Sequence, residues 1–592
     1  MGGKAEDKRA PIKGLGPRFK NIALNNFRGI LAILFIACIL SWQCGKGKVM
    51  VQVLWLLMFW FFLVQPISVP CTALIPIFFL PMTGSLSTVE TTRCYFNDNI
   101  ALFIISSMVI LLLNNSGFDR RLALYFMCSG DACQFAGKRL IFKCSTAAFF
   151  LSMFSNRLIV TSTIIQYVTP VFMNLKTTAE KSPTEPNYDE LRYILNNAIQ
   201  TSSAIGSTAI MHSAYATLAF RTIWAESAET DKFEYPDIFN YLQYSFFAFP
   251  VAVVMFVLNF AYHMILMEYV LSKPMSQSSM NEVRNQMLKY KESIPEQVTC
   301  HEKMTVFFKL LLLLVLFTRW YNFGQKGWST FNQQKDAEHS PVIKDVTVCA
   351  IFVLFLHIFP RTFTFLQFFL AEKRSDLKVM KPESTILFWR FVDKNTNYGY
   401  FILLGAGVAL ELSIRKSGIS QDLSTYFGKN LTNIEWKGAL FLVCLITSIL
   451  ANAMTSVATV VTFLPFVLNV ARSPAQIPWQ TKAYLPAVGV GIAASFGFMT
   501  PFLYTPAYFC HNTGKVPIAK MAKYSIISVL ICCIVLWLAL CFWGPFVWDM
   551  NDDGIVAKLG SNFDVTTPAA SDGGGDGDSG APAAPAEPPS EL

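Results

Sequence analysis

Long apolar runs alternate with short polar, often basic segments along most of this chain. The runs lie near 28–43, 50–66, 67–82, 100–115, 145–173, 191–220, 243–271, 305–319, 346–370, 386–413, 438–470, 480–510 and 523–548. About 20 apolar residues cross a bilayer as a helix, so the pattern leaves room for about ten to thirteen crossings. Several runs are interrupted by Pro, Gly, Asn or Ser. Those predict broken helices or re-entrant hairpins, because unpaired backbone at membrane depth must face protein or a wet cavity.

The polar segments set the expected organisation. Residues 1–28 carry Lys4, Lys8, Arg9, Lys13, Arg18, Lys20 and Arg28 against Glu6 and Asp7. The basic stretch is too long for a cleavable signal, and no small-residue cleavage pattern follows it. It reads as a cytoplasmic N-terminus. A first membrane half (29–271) and a second (304–548) follow, joined by a polar cytoplasmic loop (272–303); residues 118–143 read as another such loop. The tail (549–592) is acidic and rich in Gly, Pro and Ala, so disorder is expected. The sequon at Asn430 predicts a glycosylated loop outside, and the tail is placed on that side; the sequon at Asn114 abuts an apolar run and reads as unusable.

The interruptions come in pairs. In the first half, Ser155-Asn156-Arg157 breaks one run and Thr201–Ala209, with Gly206, Ser207 and Thr208, breaks the next. In the second half, Asn452–Thr459 and then Ser495–Pro501 do the same. Corresponding breaks in two halves point to a transporter binding site built from exposed backbone groups and hydroxyls.

Composition narrows the class. Of 592 residues, 53% are hydrophobic and only 15% charged, and mean hydropathy is +0.41. Soluble domains carry about 25% charge, so a soluble enzyme or disordered regulator is excluded. The net charge of +9 resides in short segments between apolar runs, which is the positive-inside pattern and not a nucleic-acid surface. The 14 Cys show no CxxC pairing and read as small buried hydrophobes. Without HExxH, P-loop or GxSxG motifs, no enzyme activity and no cofactor is expected.

Several strings resemble one family. They are Pro66–Pro76, Phe150-Leu151-Ser152-Met153, Phe246–Pro250, Phe317-Thr318-Arg319 with Gly327-Trp328, Gly405–Leu410 followed by Ser417–Ser420, and Ala458-Thr459 with Phe463-Leu464-Pro465. In order and spacing they are similar to the divalent-anion/sodium symporters, the sodium–carboxylate and sodium–sulfate cotransporters. The resemblance implies an all-α polytopic fold of about eleven transmembrane helices plus two re-entrant hairpins, in inverted repeats. It also implies a homodimer in which a transport domain moves, elevator-like, against a scaffold, and a plasma-membrane location is expected.

The resemblance further implies Ser-Asn-Thr at each hairpin tip, holding sodium and substrate carboxylates. Here the first tip reads Ser155-Asn156-Arg157, or Asn156-Arg157 in the Ser-Asn place; the second reads Thr455-Ser456-Val457. The paired Pro-Asn of the broken helices is replaced by Ala216-Thr217 and Pro506-Ala507. Sodium, implied near Ser155, Asn156, Thr455 and Ser456, is therefore expected to couple weakly or not at all. The expected anion site comprises Ser155, Asn156, Arg157, Gly206, Ser207, Thr208, Thr455, Ser456, Val457, Thr500 and Pro501. Arg157 has two equal readings, a fixed cation gripping the anion or a side chain snorkelling to the surface or to an acid. His212 reads as a hydrogen-bonded core histidine in preference to a proton-coupling group, Glu411–Arg415 as an exposed ion pair, and Trp55–Phe62 as a lipid-facing or dimer stripe. The expected function is transport of small divalent anions, di- or tricarboxylates foremost. Two alternatives stay open: a sodium-independent exchanger or facilitator, and a non-transporting scaffold or receptor that keeps the fold.

Overall fold

The computed structural model describes residues 47–548 apart from 180–184, 230–238, 272, 320–326, 330–342, most of 364–383, 420–434, 472–482 and 502–505, together with a few positions between 16 and 34. The basic N-terminus, Asn430 and the acidic tail lie outside the described residues, and with them the expectations placed there.

The described chain is helical, with one isolated β-bridge between Pro360 and Thr385. Its principal helices are α1 (Gly47–Val64), α2 (Asp98–Val109), α3 (Phe118–Met127), α4 (Gly137–Phe154), α5 (Arg157–Ala179), α6 (Tyr188–Gly206), α7 (Tyr215–Glu229) and α8 (Tyr241–Val270). Then come α9 (Gln277–Glu292), α10 (Cys300–Thr318), α11 (Asp345–Ile358), α12 (Tyr398–Lys416), α13 (Trp436–Ala453), α14 (Ser456–Ala471), α15 (Tyr484–Ala493), α16 (Pro506–Asn512) and α17 (Ile518–Leu538). Six described stretches are long and apolar enough to cross a membrane, so this is an integral membrane protein.

The order of elements repeats. Helices α4 and α5 form a hairpin, followed by α6, a non-helical break, α7 and the long α8. Helices α13 and α14 form a second hairpin, followed by α15, a break, α16 and the long α17. Packing crosses between the two sets. Helix α6 packs on its own hairpin, but α7, beyond the break, packs on α14 and α15 of the other set. In the same way α15 packs on α13, while α16 packs on α5 and α6. Glycines permit the closest of these approaches. A Cβ on Gly206 would lie 2.2 Å from the Phe149 carbonyl oxygen of α4, and one on Gly497 would lie 2.6 Å from the Ala451 oxygen of α13. Each break is thus pressed against the backbone of its own hairpin.

The polar segments 118–143 and 272–303 contain the helices α3 and α9; α9 buries Ser279, Val283 and Met287, one per turn, against the protein. Three sequence expectations need correction. The run 386–413 is not continuous, because Thr396 and Asn397 separate a short helix (Trp389–Asn395) from α12. The aromatic stripe is only partly peripheral: Phe61 and Phe62 enter the core, and Trp55 donates its indole N–H to the Thr462 carbonyl of α14 and stacks on Phe466. Glu411 is buried rather than exposed, with Arg415 3.9 Å away; the four-residue spacing was read correctly but α12 turns that face inward.

A buried charge cluster ties the two kinds of helix together. Asp345, first residue of α11, accepts from Arg221 Nη2 of α7 at 2.6 Å and is ion-paired with Arg319 Nε at the end of α10. Arg221 also donates to the Phe239 carbonyl and Arg319 to the Ile343 carbonyl. Removing the shared anion leaves two guanidiniums facing each other away from water, which costs about 3–5 kcal/mol. Asp345→Ala is therefore expected to lower the thermal unfolding midpoint of the detergent-purified protein by several degrees. An unchanged midpoint would show that the cluster contributes nothing to stability.

Candidate functional site

Both hairpin tips are tight and are capped from within. At the first, α4 ends at Phe154 and α5 begins at Arg157, leaving Ser155 and Asn156 extended between them. Asn156 Oδ1 accepts from the Leu158 N–H at 3.0 Å, so Asn156 caps α5. At the second tip Thr455 Oγ1 accepts from the Ala458 N–H at 3.1 Å and caps α14. The caps fix the correspondence between the halves: Asn156 matches Thr455, Arg157 matches Ser456 and Leu158 matches Val457. Arg157 is the first helical residue after the tip.

Each tip is also stitched to its break. Ser213 donates to the Met153 carbonyl in the first half, and Thr500 donates to the Asn452 carbonyl in the second. Both acceptors lie four residues before the first residue of the following helix, Arg157 or Ser456. Asn452 adds two more contacts, accepting from the Met499 N–H at 2.8 Å and donating to the Phe496 carbonyl at 3.2 Å.

Arg157 crosses from one set to the other. Its Nη1 lies 3.4 Å from Ser207 Oγ in the first break, and its Nη2 lies 3.4 Å from Ser456 Oγ at the second tip. The side chain is 4% exposed, so it does not snorkel. No carboxylate touches it among the described residues, Nε has no partner, and both hydroxyl contacts are at the long limit of hydrogen bonding. A guanidinium has five N–H donors in a planar fork suited to carboxylate or sulfate oxygens. Buried and without a carboxylate partner among the described residues, it has donors left to offer an anion.

A cavity of about 350 Å³ is bounded by Gln65–Pro70, Asn397, Tyr400 and Thr455; Arg157 does not line it and is linked to it through Ser456. Thr455 adjoins Ser456, which carries Arg157 Nη2. Tyr400 stacks edge-on against Tyr215 at 5.2 Å, and the Tyr215 hydroxyl accepts from Asn156 Nδ2 at 3.2 Å. The cavity is lined partly by apolar proline and isoleucine and partly by amide, hydroxyl and phenol groups. That mixture, with a cation linked to it through Ser456, suits a small anion with a short carbon chain.

Of the residues singled out from the sequence, Asn156, Arg157, Ser207, Thr455 and Ser456 come together here. Ser155 lies at the tip with its hydroxyl buried and unpartnered. The other expected ligands are placed differently. Gly206 abuts the α4 backbone, Thr208 turns its hydroxyl to the Ile205 carbonyl, and Val457 is fully buried core. Thr500 serves as the stitch to Asn452, and Pro501 is buried beyond it. Tyr215, Tyr400, Asn452 and the Gln65–Pro70 wall were not anticipated as site residues. Only the proline-rich wall and the polar interruption at Asn452 left a sequence signal. Asn114 was dismissed as an unusable sequon, yet its Oδ1 accepts from the Asn156 N–H at 3.2 Å and its Nδ2 donates to Asp119 Oδ2 at 2.5 Å.

The family model described as the sodium:sulfate symporter transmembrane region matches residues 29–549. The chain is 25% identical over 505 residues to the sodium-dependent high-affinity dicarboxylate transporter 3 of Caenorhabditis elegans, covering 83% of this chain and 82% of that one. It is 23% identical over 584 residues to the protein I'm not dead yet of Drosophila melanogaster, covering 92% of each. It is 22% identical over 578 residues to the Na(+)/citrate cotransporter of Mus musculus, covering 90% of this chain and 96% of that one.

The Asp119–Asn114–Asn156 relay gives the first tip a pH-sensitive support. Asp119 lies past the end of the Thr88–Ser116 span, and burial pushes its carboxyl up from 3.8 to about 6, against the opposing bonds from backbone N–H groups and Asn114. Because the folded value lies above the unfolded one, this carboxyl's contribution to stability is full below about pH 4 and is lost as pH rises through about 6. Asp119→Asn has no proton to lose. The expected result is a wild-type unfolding midpoint that declines across that window relative to the variant, which is the more stable of the two near pH 7. Parallel curves for the two proteins would refute this role.

Proposed function

This chain belongs to the sodium:sulfate symporter family, and we propose that it is a secondary transporter of small divalent anions, di- or tricarboxylates foremost, with little or no sodium coupling. The observation that carries the reading is Arg157, a buried guanidinium without a carboxylate partner among the described residues, set between Ser207 and the second tip at Ser456, and linked through Ser456 to the cavity at Thr455. One carboxylate of the anion takes the guanidinium fork. The hydroxyls of Ser207, Thr455 and Ser456 and the N-terminal amides of α5 and α14 supply the remaining donors. The named relatives, a dicarboxylate transporter and a citrate cotransporter, support a carboxylate cargo.

Sodium fares badly in the same place. Two unit charges about 4 Å apart repel by about 4 kcal/mol at an effective dielectric of about 20. Arg157 cannot relieve this by losing its proton. The guanidinium thus occupies, permanently, the electrostatic role that a bound cation plays next to a carboxylate. Movement of the two hairpins and broken helices as a body against the remaining helices, elevator-like and in a homodimer, is the alternating-access motion we assign. The crossed packing supports it, since α7 and α16 lock the two hairpins to each other. We place the N-terminus in the cytoplasm and the tail outside, in the plasma membrane.

The test is initial uptake of labelled succinate, citrate and sulfate into liposomes carrying the purified protein, with and without external sodium. The expected outcome is carboxylate uptake that changes little when sodium is replaced. Arg157→Ala should abolish substrate binding, and Arg157→Asn should restore part of a sodium response. Steep, saturable sodium dependence in the wild type would overturn the assignment of Arg157. Absence of uptake for every anion would favour the scaffold or receptor reading instead.

A further inference from the structure

A second unpaired cation lies inside the protein, away from the cavity. Lys309 of α10 is 2% exposed, and its Nζ is 3.0 Å from Nε2 of His212, itself 3% exposed. Two nitrogens at this distance share one hydrogen, so one donates and the other must present a lone pair. Two arrangements satisfy the contact. Either an ammonium donates to a neutral imidazole, or an imidazole N–H donates to a neutral amine. The first carries one positive charge and the second none, and the hydrogen bond survives the change. His212 Nδ1 is buried without a partner, which leaves that nitrogen free to accept either tautomer.

The surroundings do not supply a fixed counter-charge. Neither residue touches a carboxylate among the described residues. Tyr241 of α8 faces His212 with ring centroids 6.1 Å apart, and Cys349 of α11 faces Lys309. Ser106 of α2 lies against that cysteine at 3.9 Å. Asp345, the acid beyond Cys349, is already held between Arg221 and Arg319. A lysine buried in the protein without a carboxylate is expensive, and packing alone does not account for it.

The pair is joined to the anion site through one short segment. His212 lies in the 3₁₀ turn Met211–Ser213 of the first break. Ser207, which contacts Arg157, opens that break, and Ser213 in the same turn donates to the Met153 carbonyl of the first hairpin. Lys309 reaches this segment from α10, outside the two hairpins.

We propose that His212 and Lys309 form a proton-binding site that is loaded together with the anion at Arg157. This rests on the transport reading given above. The charges make the coupling specific. A dianion beside Arg157 leaves one negative charge uncompensated, and one proton on the pair cancels it. The loaded protein is then locally neutral, the state that crosses a low-dielectric path most readily. By linkage, the proton raises anion affinity by the same factor as the anion raises proton affinity.

The experiment uses the full chain in sodium-free liposomes, with membrane potential clamped at zero by potassium and valinomycin and labelled succinate as probe. External pH is held constant, so the ionisation of the probe outside does not change, and only the lumen is made more alkaline. One coupled proton raises the plateau accumulation ratio about tenfold for each pH unit across the membrane. Lys309→Met and His212→Gln should lose that response, whatever uptake rate they retain. Lys309→Arg, which keeps the cation but cannot release its proton, should lose it too, and serves if the Met variant does not fold. Wild-type uptake that ignores lumen pH overturns the proposal, as does a variant that keeps the tenfold response. Absence of succinate uptake by the wild type at any gradient removes the transport reading itself, and is distinguishable from both.

Discussion

The arrangement turns on one buried charge that the protein itself does not neutralise. Arg157 could have been satisfied by an acid, as Arg221 and Arg319 are by Asp345. Instead its fork meets only serine hydroxyls at 3.4 Å. A guanidinium in this state persists only if the surrounding structure holds it there. The surroundings do so from three sides: the Asn156 cap sets the start of α5, the Ser207 hydroxyl comes from the first break, and the Ser456 hydroxyl comes from the opposite half. The contrast between the two arginine environments separates structure from chemistry. The paired ones join helices, and the one without a carboxylate keeps its donors open.

Much of the fold was legible because membrane insertion constrains sequence so strongly. The two hairpins and the two Gly/Ser/Thr breaks appear where the residue pattern placed them, as do most of the apolar runs among the described residues. Arg157 was legible as an exceptional residue, but not its destination, since a sequence cannot say which of two routes a long side chain takes. Glu411 shows the same limit: a four-residue spacing to Arg415 fixes adjacency on a helix and says nothing of which way the face turns. Nor did the pattern reveal contacts across the repeat. Tyr400 lies far along the chain from Asn156 and meets it only through Tyr215. Lys309 left a readable mark, a charge within an apolar run, whose meaning depends on His212 in another helix.

The hydroxyl and amide chemistry of the tips repeats between halves while the side chains differ. Asn156 and Thr455 do the same capping work with different groups, and Ser213 and Thr500 make the same stitch. What is symmetric is therefore the backbone frame, and what is asymmetric is the charge. Such a division lets one position change from serine to arginine without moving the helices around it.

The crossed packing of the broken helices also bears on how the protein is made. Helix α7 packs on α2 and α12 as well as on α14 and α15, and the last two emerge from the ribosome more than two hundred residues later. Until then the surface that it turns to α14 and α15 has no resident partner. The first hairpin must likewise hold the Arg157 side chain through most of synthesis before Ser456 exists to meet it. The first half therefore reaches its final packing only after the second has been made. In that interval lipid, translocon or chaperone must shelter the Arg157 side chain.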